Sequence, residues 1–529
     1  MRQAFFISTG LALLVVFLEE WAFLKPQSYQ ILIGLGEAEI NKWAVLLTTI
    51  ISFCTLVLFF FLLFSLARKF RIYMTIVYAL PLLVQLICWE VFHRSLSISD
   101  INIAITSFSS IHSATQVYFN PLVVIPVVMM ILAVMALPGD PNFRRALQLG
   151  LIMLALVSIN TLAASLELHT NWGTAVPKFY ETVGRYIFSD IQQIKREVIA
   201  PVNPSQPDNN IVLIIDESIR SDHLSLNGYS RSTTPYLEQI AQENPSYIHN
   251  WGTIASGATC SPLSNALLIT GVQVSPANSA DEWQLVQQYP TLFQYAKAMG
   301  YRTTYYDGQT NYLWNGLTVI DLAAIDNWIK TVPDESDHTV DIRAADWIYN
   351  TVSRSTGNFI VLNKKGAHYL YENSYPKSAT IWSPAPTDYL SQPDLVMNVY
   401  DNAVHFSVNT FFEHLLSPPN PNSYKTVYLW TSDHSQTLFE DGATWSHCNY
   451  YPVEAAVPLV VFGDLPISPD LQYQASHANI FPTLLDLMGV PAELRIFSYS
   501  PSLLQKQTVP TQSHRYFVSG DGSVIDFDQ

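Results

Sequence analysis

Hydrophobic positions divide this chain near residue 166. Before that point long apolar runs follow one another with short polar breaks. After it, short apolar runs alternate with amphipathic stretches. Five runs in the first part reach or approach the roughly 20 helical residues that cross a bilayer. They are Ala4–Phe23, Trp43–Leu66, Tyr73–Phe92, Phe119–Leu137 and Ala146–Leu166. Glu19 and Glu20 interrupt the first run, and a cleaved signal peptide is its rival. No small-residue cleavage site precedes Glu19 and further spans follow directly, so an anchor is expected. The stretch His93–Tyr118 reads either as a plain loop or as short amphipathic helices lying on the membrane.

Basic residues set the orientation. Arg2 precedes the first run; Arg68, Lys69 and Arg71 separate the second from the third; Arg144 and Arg145 separate the fourth from the fifth. The positive-inside rule puts all three groups, and the N-terminus, in the cytoplasm. The large C-terminal part is then exported, which in a bacterium means facing the periplasm or the cell exterior. Trp21, Trp43, Trp89 and Trp172 fall near the proposed membrane edges, as interfacial aromatics do.

The expected organisation is a transmembrane domain over 1–166, a linker over 167–208 and a catalytic domain over 209–529. In the linker, Val183, Ile187, Ile191, Ile194 and Val198 follow a helical spacing, which predicts a helix over Tyr180–Ile199. Pro201, Pro204 and Pro207 mark the boundary. Beyond it, Ile211–Ile215 reads as a strand buried on both faces, and Val427–Trp430 reads as a second. Phe359–Asn363, Leu459–Phe462 and Tyr301–Tyr306 add short strands, and Ile480–Met488 ahead of Gly489 a helix. Strands alternating with helices imply a largely parallel sheet covered by helices.

Two of these strands run out into metal-type ligands: Asp216-Glu217 after the first, Asp433-His434 after the second. Ligands gather at the carboxyl ends of strands in open α/β sheets. A mixed oxygen and nitrogen donor set suits Zn²⁺. Between them, small residues lead into Thr259, and an apolar helix follows. A hydroxyl at a helix N-terminus is either a cap or a nucleophile, since free N–H groups there bind phosphate oxygens. A net charge of −16 argues against a nucleic-acid binder. Four cysteines are too few for a disulfide scaffold.

The ordered motifs resemble those of the membrane phosphoethanolamine transferases, in the sulfatase and alkaline phosphatase superfamily. Glu217-Ser218-Ile219-Arg220-Ser221-Asp222 through Gly228-Tyr229 and Thr233-Thr234-Pro235 looks like their opening motif. Ser432-Asp433-His434, followed by His447, is similar to their Ser-Asp-His segment. Gly366-Ala367-His368 with Tyr375-Pro376, and Asn398-Val399-Tyr400-Asp401-Asn402, resemble two more. Phe481-Pro482-Thr483-Leu484-Leu485 is shared with the wider superfamily.

The resemblance implies a five-span α-helical membrane domain and an α/β hydrolase-like domain of the alkaline phosphatase/sulfatase type. It implies transfer of phosphoethanolamine from phosphatidylethanolamine to lipopolysaccharide, lipid A or another periplasmic glycan, at the inner membrane. Glu217, Thr259, Asp433 and His434 would bind zinc, one ion or two. Thr259 would be the nucleophile and carry the phosphoethanolamine. His368 and His447 would bind phosphate or a second zinc, or act as acid and base. Gln309, in a loop similar to the family's Asp-Asn-Asn loop, either meets a phosphate oxygen or belongs to a plain Asp-Gly turn.

The chain departs from the family at several places. Asp216 stands where the family often has glycine, as an extra ligand, a substrate contact or an acceptor for a histidine. Cys260 and Cys448 either pair across the site or are two small buried thiols. Ser109–Ala114 lacks the glutamate of the family's outer-loop motif. Residues Cys260–Gly271 also resemble the sulfatase signature, in which the cysteine becomes formylglycine, but with an additional residue and no arginine. A phosphoglycerol transferase using Mn²⁺ or Mg²⁺ is a further alternative, and a non-catalytic scaffold with a decayed hydrolase domain another.

Overall fold

The protein is described by a computed structural model. In the N-terminal part the described residues are 8–13, 15, 53–92, 96, 101, 124–136, 141, 142, 144–153 and 175–189. From 196 onward all are described except 201, 203–205, 277–281, 310–314, 318, 319, 332–337, 387–391, 417–424, 440–446, 466–469, 506–514 and 521. The chain divides into two compact units, Met1–Gln192 and Gln193–Gln529.

In the first unit, one helix among the described residues is long and apolar enough to cross a membrane. It is Arg68–Phe92, whose stretch Arg68–Cys88 has 21 residues and a mean hydropathy of 1.7. Phe53–Phe64 and Val127–Ala136 are shorter apolar helices. Ala79, Leu82 and Leu86 pack with Phe60, Val127 and Met130, while Ile76, Leu80, Met129 and Leu132 face outward. Helices apolar all round suit a lipid surround. Of the five expected spans, Tyr73–Phe92 is described throughout. Most of Ala4–Phe23, the start of Trp43–Leu66 and of Phe119–Leu137, the end of Ala146–Leu166 and most of the loop His93–Tyr118 lie outside the described residues. The described residues therefore account for one span where five were expected.

The linker helix differs from its expected extent. It runs over Ala175–Ser189, and Tyr180 Oη donates to Val77 O at 2.6 Å within the same unit. Residues 196–199, expected to be helical, are not. Arg196 explains why. It is buried in the second unit, 3.0 Å from Asp321, and donates to Val286 O and Gly316 O. A buried guanidinium with that many partners dictates the local path over an apolar periodicity.

The second unit is built on a seven-stranded sheet. In chain order its strands are β1 (Asn210–Asp216), β2 (Ile248–Ala255), β3 (Arg302–Asp307), β4 (Asn327–Lys330), β5 (Asn358–Asn363), β6 (Thr426–Ser432) and β7 (Ala456–Phe462). Their spatial order is β2-β7-β6-β1-β5-β3-β4, and β7 runs antiparallel to both its neighbours. β1 is buried on both faces, as its sequence requires. Ile211, Leu213 and Ile215 enter one core with Leu268 and Phe481, and Val212 and Ile214 enter the other with Tyr400 and Trp430. The helices that matter for the site are α1 (Ser261–Thr270), α2 (Pro393–Val404) and α3 (Ile480–Leu487). β2 and β4 escape the sequence reading. β2 is half polar and carries a register shift between Asn250 and Gly252, and β4 is a four-residue edge strand.

Register positions the chemistry. β1 and β6 are adjacent and parallel, with Asp216 opposite Ser432. The next residues, Glu217 and Asp433, therefore leave the sheet side by side. Asp433 N–H donates to Asp216 O at 2.8 Å and fixes the two ends together.

Candidate active site

Glu217, Asp433 and His434 bring ligand atoms within 4.8 Å of one another, and all three are buried. Each is held by the chain around it. Asp433 Oδ1 accepts His434 N–H at 2.7 Å and Ser218 N–H at 3.2 Å. Glu217 Oε1 accepts the Ser218 hydroxyl at 2.7 Å. His434 Nδ1 donates to Ser435 O at 2.7 Å, which leaves the lone pair on Nε2, facing the carboxylates. Nε2 lies 3.5 Å from Glu217 Oε1 and 3.6 Å from Asp433 Oδ2.

Electrostatics make this cluster expensive without a cation. Burial raises the Glu217 carboxyl, but the imidazoles of His434, His368 and His447 and the Ser218 hydroxyl outweigh it and pull it down to about 2. Burial and then the Glu217 charge push Asp433 well up. Burial lowers His434. Among the described residues, Asp433 Oδ2 has no hydrogen-bond donor. A buried carboxylate oxygen without a partner costs free energy that a metal ion would recover. Two carboxylates and an imidazole nitrogen form the donor chemistry of a zinc site, so the residues fit the group.

The hydroxyl nearest the ligand cluster is where structure and expectation part. Thr259 was expected to face the ligands. Its hydroxyl instead donates to Asn449 O at 2.8 Å, its N–H to Val518 O at 3.0 Å, and its carbonyl accepts from Cys448 N–H. The hydroxyl among the ligands belongs to Ser261. Its Oγ lies 2.9 Å from His434 Nε2 and donates to Glu217 Oε2 at 3.2 Å. Ser261 is the first residue of α1, with Cys260 as N-cap and Pro262 in the first turn. Proline is favoured just inside a helix start, so Pro262 was the signal in the sequence that places the helix head at Ser261 rather than at Thr259.

Other expected residues sort clearly. His368 and His447 both act on the Glu217 charge. His368 is exposed and donates from Nδ1 to Tyr369 O. His447 stacks on His434, ring centroids 4.4 Å apart at 27°. Gln309 Nε2 donates to Glu217 Oε2 at 3.0 Å and to Lys364 O at 2.7 Å, so it braces a ligand rather than reaching outward. Its N–H closes a turn on Asp307 Oδ1.

Asp216, expected as a ligand, a substrate contact or an acceptor for a histidine, has protein partners on both carboxylate oxygens. It is fully enclosed, with Lys364 Nζ at 2.6 Å and Trp430 Nε1 at 3.0 Å on Oδ2, and Glu217 N–H on Oδ1. Burial, with help from Asp341 and against the pull of Lys364, raises its carboxyl to about 6. Gly366, at φ +56°, lets the loop carrying His368 cross this strand end. A Cβ there would meet Asp216 Oδ1 at 2.5 Å and Glu217 N at 2.7 Å.

Cys260 and Cys448 form a disulfide. This resolves the two readings of those residues. Paired in this way, Cys260 is a half-cystine rather than the free thiol from which a formylglycine is made.

A mostly parallel sheet whose central strands end in Glu217 and Asp433-His434, beside a helix headed by a hydroxyl, is a domain of the alkaline phosphatase/sulfatase type. The chain belongs to the sulfatase family, whose model matches residues 209–490. Among similar curated proteins, the Kdo(2)-lipid A phosphoethanolamine 7''-transferase of Escherichia coli (strain K12) is 24% identical over 310 residues, 53% of this chain and 52% of that one. The phosphoethanolamine transferase EptA of the same organism is 25% identical over 340 residues, 56% of each. The chain thus spans about half the length of the curated relatives it matches. In fold it is similar to the integral membrane lipooligosaccharide phosphoethanolamine transferase A of Neisseria meningitidis. The TM-score is 0.62 at 16% identity, over 90% of this chain and 95% of that one. It is also similar to the periplasmic domain of EptC from Escherichia coli in complex with Zn, with TM-score 0.51 at 18% identity, over 63% of this chain and 97% of that one.

Proposed function

We propose that this chain is a metal-dependent phosphoethanolamine transferase. It takes the headgroup of phosphatidylethanolamine and passes it to lipid A or another glycan on the periplasmic side of a bacterial inner membrane. One observation carries the reading: the Ser261 hydroxyl stands at the head of α1, 2.9 Å from His434 Nε2 and 3.2 Å from Glu217 Oε2, beside the unpartnered Asp433 Oδ2. The names of the similar transferases, and the zinc complex of the EptC domain, support the substrate class and the metal.

Glu217, Asp433 and His434 would hold the zinc ion, with Ser261 as a further donor. Bound there, the ion lowers the pKa of a coordinated hydroxyl and offsets phosphate charge. The chain's own groups carry the rest. Ser261 Oγ, its proton first lost to solvent, attacks the donor phosphorus as the alkoxide, and the free N–H groups opening α1 bind phosphate oxygens. The diacylglycerol oxygen leaves with a proton from the imidazole of His368 or His447. Phosphoethanolamine stays on Ser261 as an ester until an acceptor hydroxyl, giving its proton to an imidazole, displaces it and restores Ser261. A covalent step lets a lipid donor and a bulky acceptor use one site in turn.

The test is to incubate the full chain in detergent with phosphatidylethanolamine and follow diacylglycerol and the peptide carrying Ser261 by mass spectrometry. A phosphoethanolamine adduct on Ser261, absent from Ser261→Ala, is expected. An adduct on Thr259, or turnover of phosphatidylglycerol in place of phosphatidylethanolamine, would sink the assignment.

A further inference from the structure

The disulfide has an unusual address. It joins residues 188 positions apart in sequence, with Cα atoms 4.7 Å apart. Cys260 immediately precedes Ser261, and Cys448 immediately follows His447. The bond therefore ties the nucleophile's helix head to the segment that lays an imidazole on His434.

Hydrogen bonds from both sides complete the tie. Thr259 O accepts Cys448 N–H and Thr259 Oγ1 donates to Asn449 O, both at 2.8 Å. On the far side Glu454, fully buried, accepts Asn449 N–H on Oε2 at 2.7 Å and Asn449 Nδ2 on Oε1 at 2.9 Å. Glu454 O in turn accepts Ser435 N–H at 2.7 Å, next to the ligand His434. The His447 segment is thus clamped between the Ser261 helix and the end of β6. Both half-cystines are only partly buried, within reach of a small thiol.

We propose that the Cys260–Cys448 bridge is a redox-governed positioning device, with Thr259 and Glu454 as its positioning residues. Oxidised, it holds His447 face to face with His434 and beside Ser261; reduced, it lets that imidazole leave and stops transfer while the domain stays folded. The inference rests on the reading of Ser261 and His447 given above. Reduction by a dithiol breaks the S–S bond with two electrons and two protons. Two thiols form in the chain, and the dithiol closes to its own disulfide.

The experiment uses the full chain in detergent with phosphatidylethanolamine, following diacylglycerol release. Displacing a group that acts in the reaction costs roughly ten- to a hundredfold. Cys260→Ala/Cys448→Ala is expected to lose that much in kcat, with KM for the lipid within about twofold of the parent. Zinc content and unfolding temperature are measured on the same samples and are expected to stay near the parent's. Dithiothreitol on the parent should reproduce the loss with zinc retained, and oxidised glutathione should restore activity. Thr259→Val should fall in kcat, and Thr259→Ser, which keeps the hydroxyl, should recover. Parent-like kcat in the cysteine-free variant overturns the proposal. So does a bridge that resists dithiothreitol in the folded protein by thiol labelling, since it is then a static brace. Should the variant misfold, the reversible reduction of the parent decides. Unimpaired transfer by Ser261→Ala would instead overturn the reading of the site, whatever the cysteines do.

Discussion

Ser261 Oγ lies 2.9 Å from His434 Nε2, while Thr259, two positions earlier, spends its hydroxyl on the carbonyl of Asn449. The two residues divide labour that the sequence alone would give to one. Ser261 has its proton between His434 and Glu217, and Thr259 has every polar atom bound to other segments.

Ser261→Ala should therefore lose transfer by at least about a thousandfold, as removal of a covalent nucleophile does. Its unfolding temperature should hardly move, because the substitution removes one hydroxyl and keeps a residue that favours the helix. Steady-state release of diacylglycerol, read beside a thermal melt, checks both halves. A variant that keeps transferring would return the nucleophile to another residue.

Among the described residues, Asp433 Oδ2 is one of the buried oxygens with no hydrogen-bond partner. Asp433→Asn replaces one anionic donor by a neutral amide, and zinc binding should weaken by more than about a hundredfold. Chelation of the parent should lower its unfolding temperature, since an ion held only by the native state stabilises by about 2.7 kcal/mol at a hundredfold excess over its Kd. Metal content by mass spectrometry and melts with and without chelator test this. A melt indifferent to chelation would speak against a resident cation.

Much of this arrangement is legible in the sequence, and the failures have physical causes. The aliphatic run at 211–215 and the Asp433-His434 pair announce strand ends, because a strand buried on both faces tolerates no polar interruption until it leaves the core. Their adjacency is not legible, since register between β1 and β6 is a tertiary fact. The position of Ser261 is hard to read because small residues before a helix look alike until the helix start is fixed, and Pro262 fixes it at Ser261. The partnering of Asp216 with Lys364 is not legible either, since the two are far apart in sequence and nothing local reveals a buried ion pair. Arg196 cut short a helix for the same reason.

Lys364 is fully buried, with Nζ 2.6 Å from Asp216. Removing one partner of a buried pair strands the other charge. Lys364→Met should cost about 3–5 kcal/mol of stability. In Asp216→Asn/Lys364→Met no charge is left behind, and the single amide oxygen still accepts from one of the two donors, Trp430 Nε1 or Glu217 N–H, so part of the loss should return. Denaturant midpoints of the two variants measure the difference. Equal destabilisation would mean that Lys364 matters for packing against Phe411 rather than for charge.

His477 supplies a pH test. Its Nδ1 accepts Gly257 N–H at 3.1 Å, and its Nε2 meets Thr431 Oγ1 at 3.2 Å, so the ring is held neutral behind α1. Burial lowers its pKa to about 3. In the unfolded chain the same imidazole takes a proton near pH 6.5. The native state is the one that refuses the proton, so the contribution is complete above about pH 6.5 and is lost as pH falls towards 3. The slope is about 1.4 kcal/mol per pH unit for one such group. Protonation at Nδ1 would also break the bond to Gly257, which leads into the Ser261 helix. His477→Gln should flatten the fall in unfolding free energy between about pH 6.5 and 5 by roughly one proton's worth, a window above the ordinary carboxylate range. Urea titrations of parent and variant at several pH values give that slope directly. Parallel curves would mean that His477 already carries its proton in the folded protein.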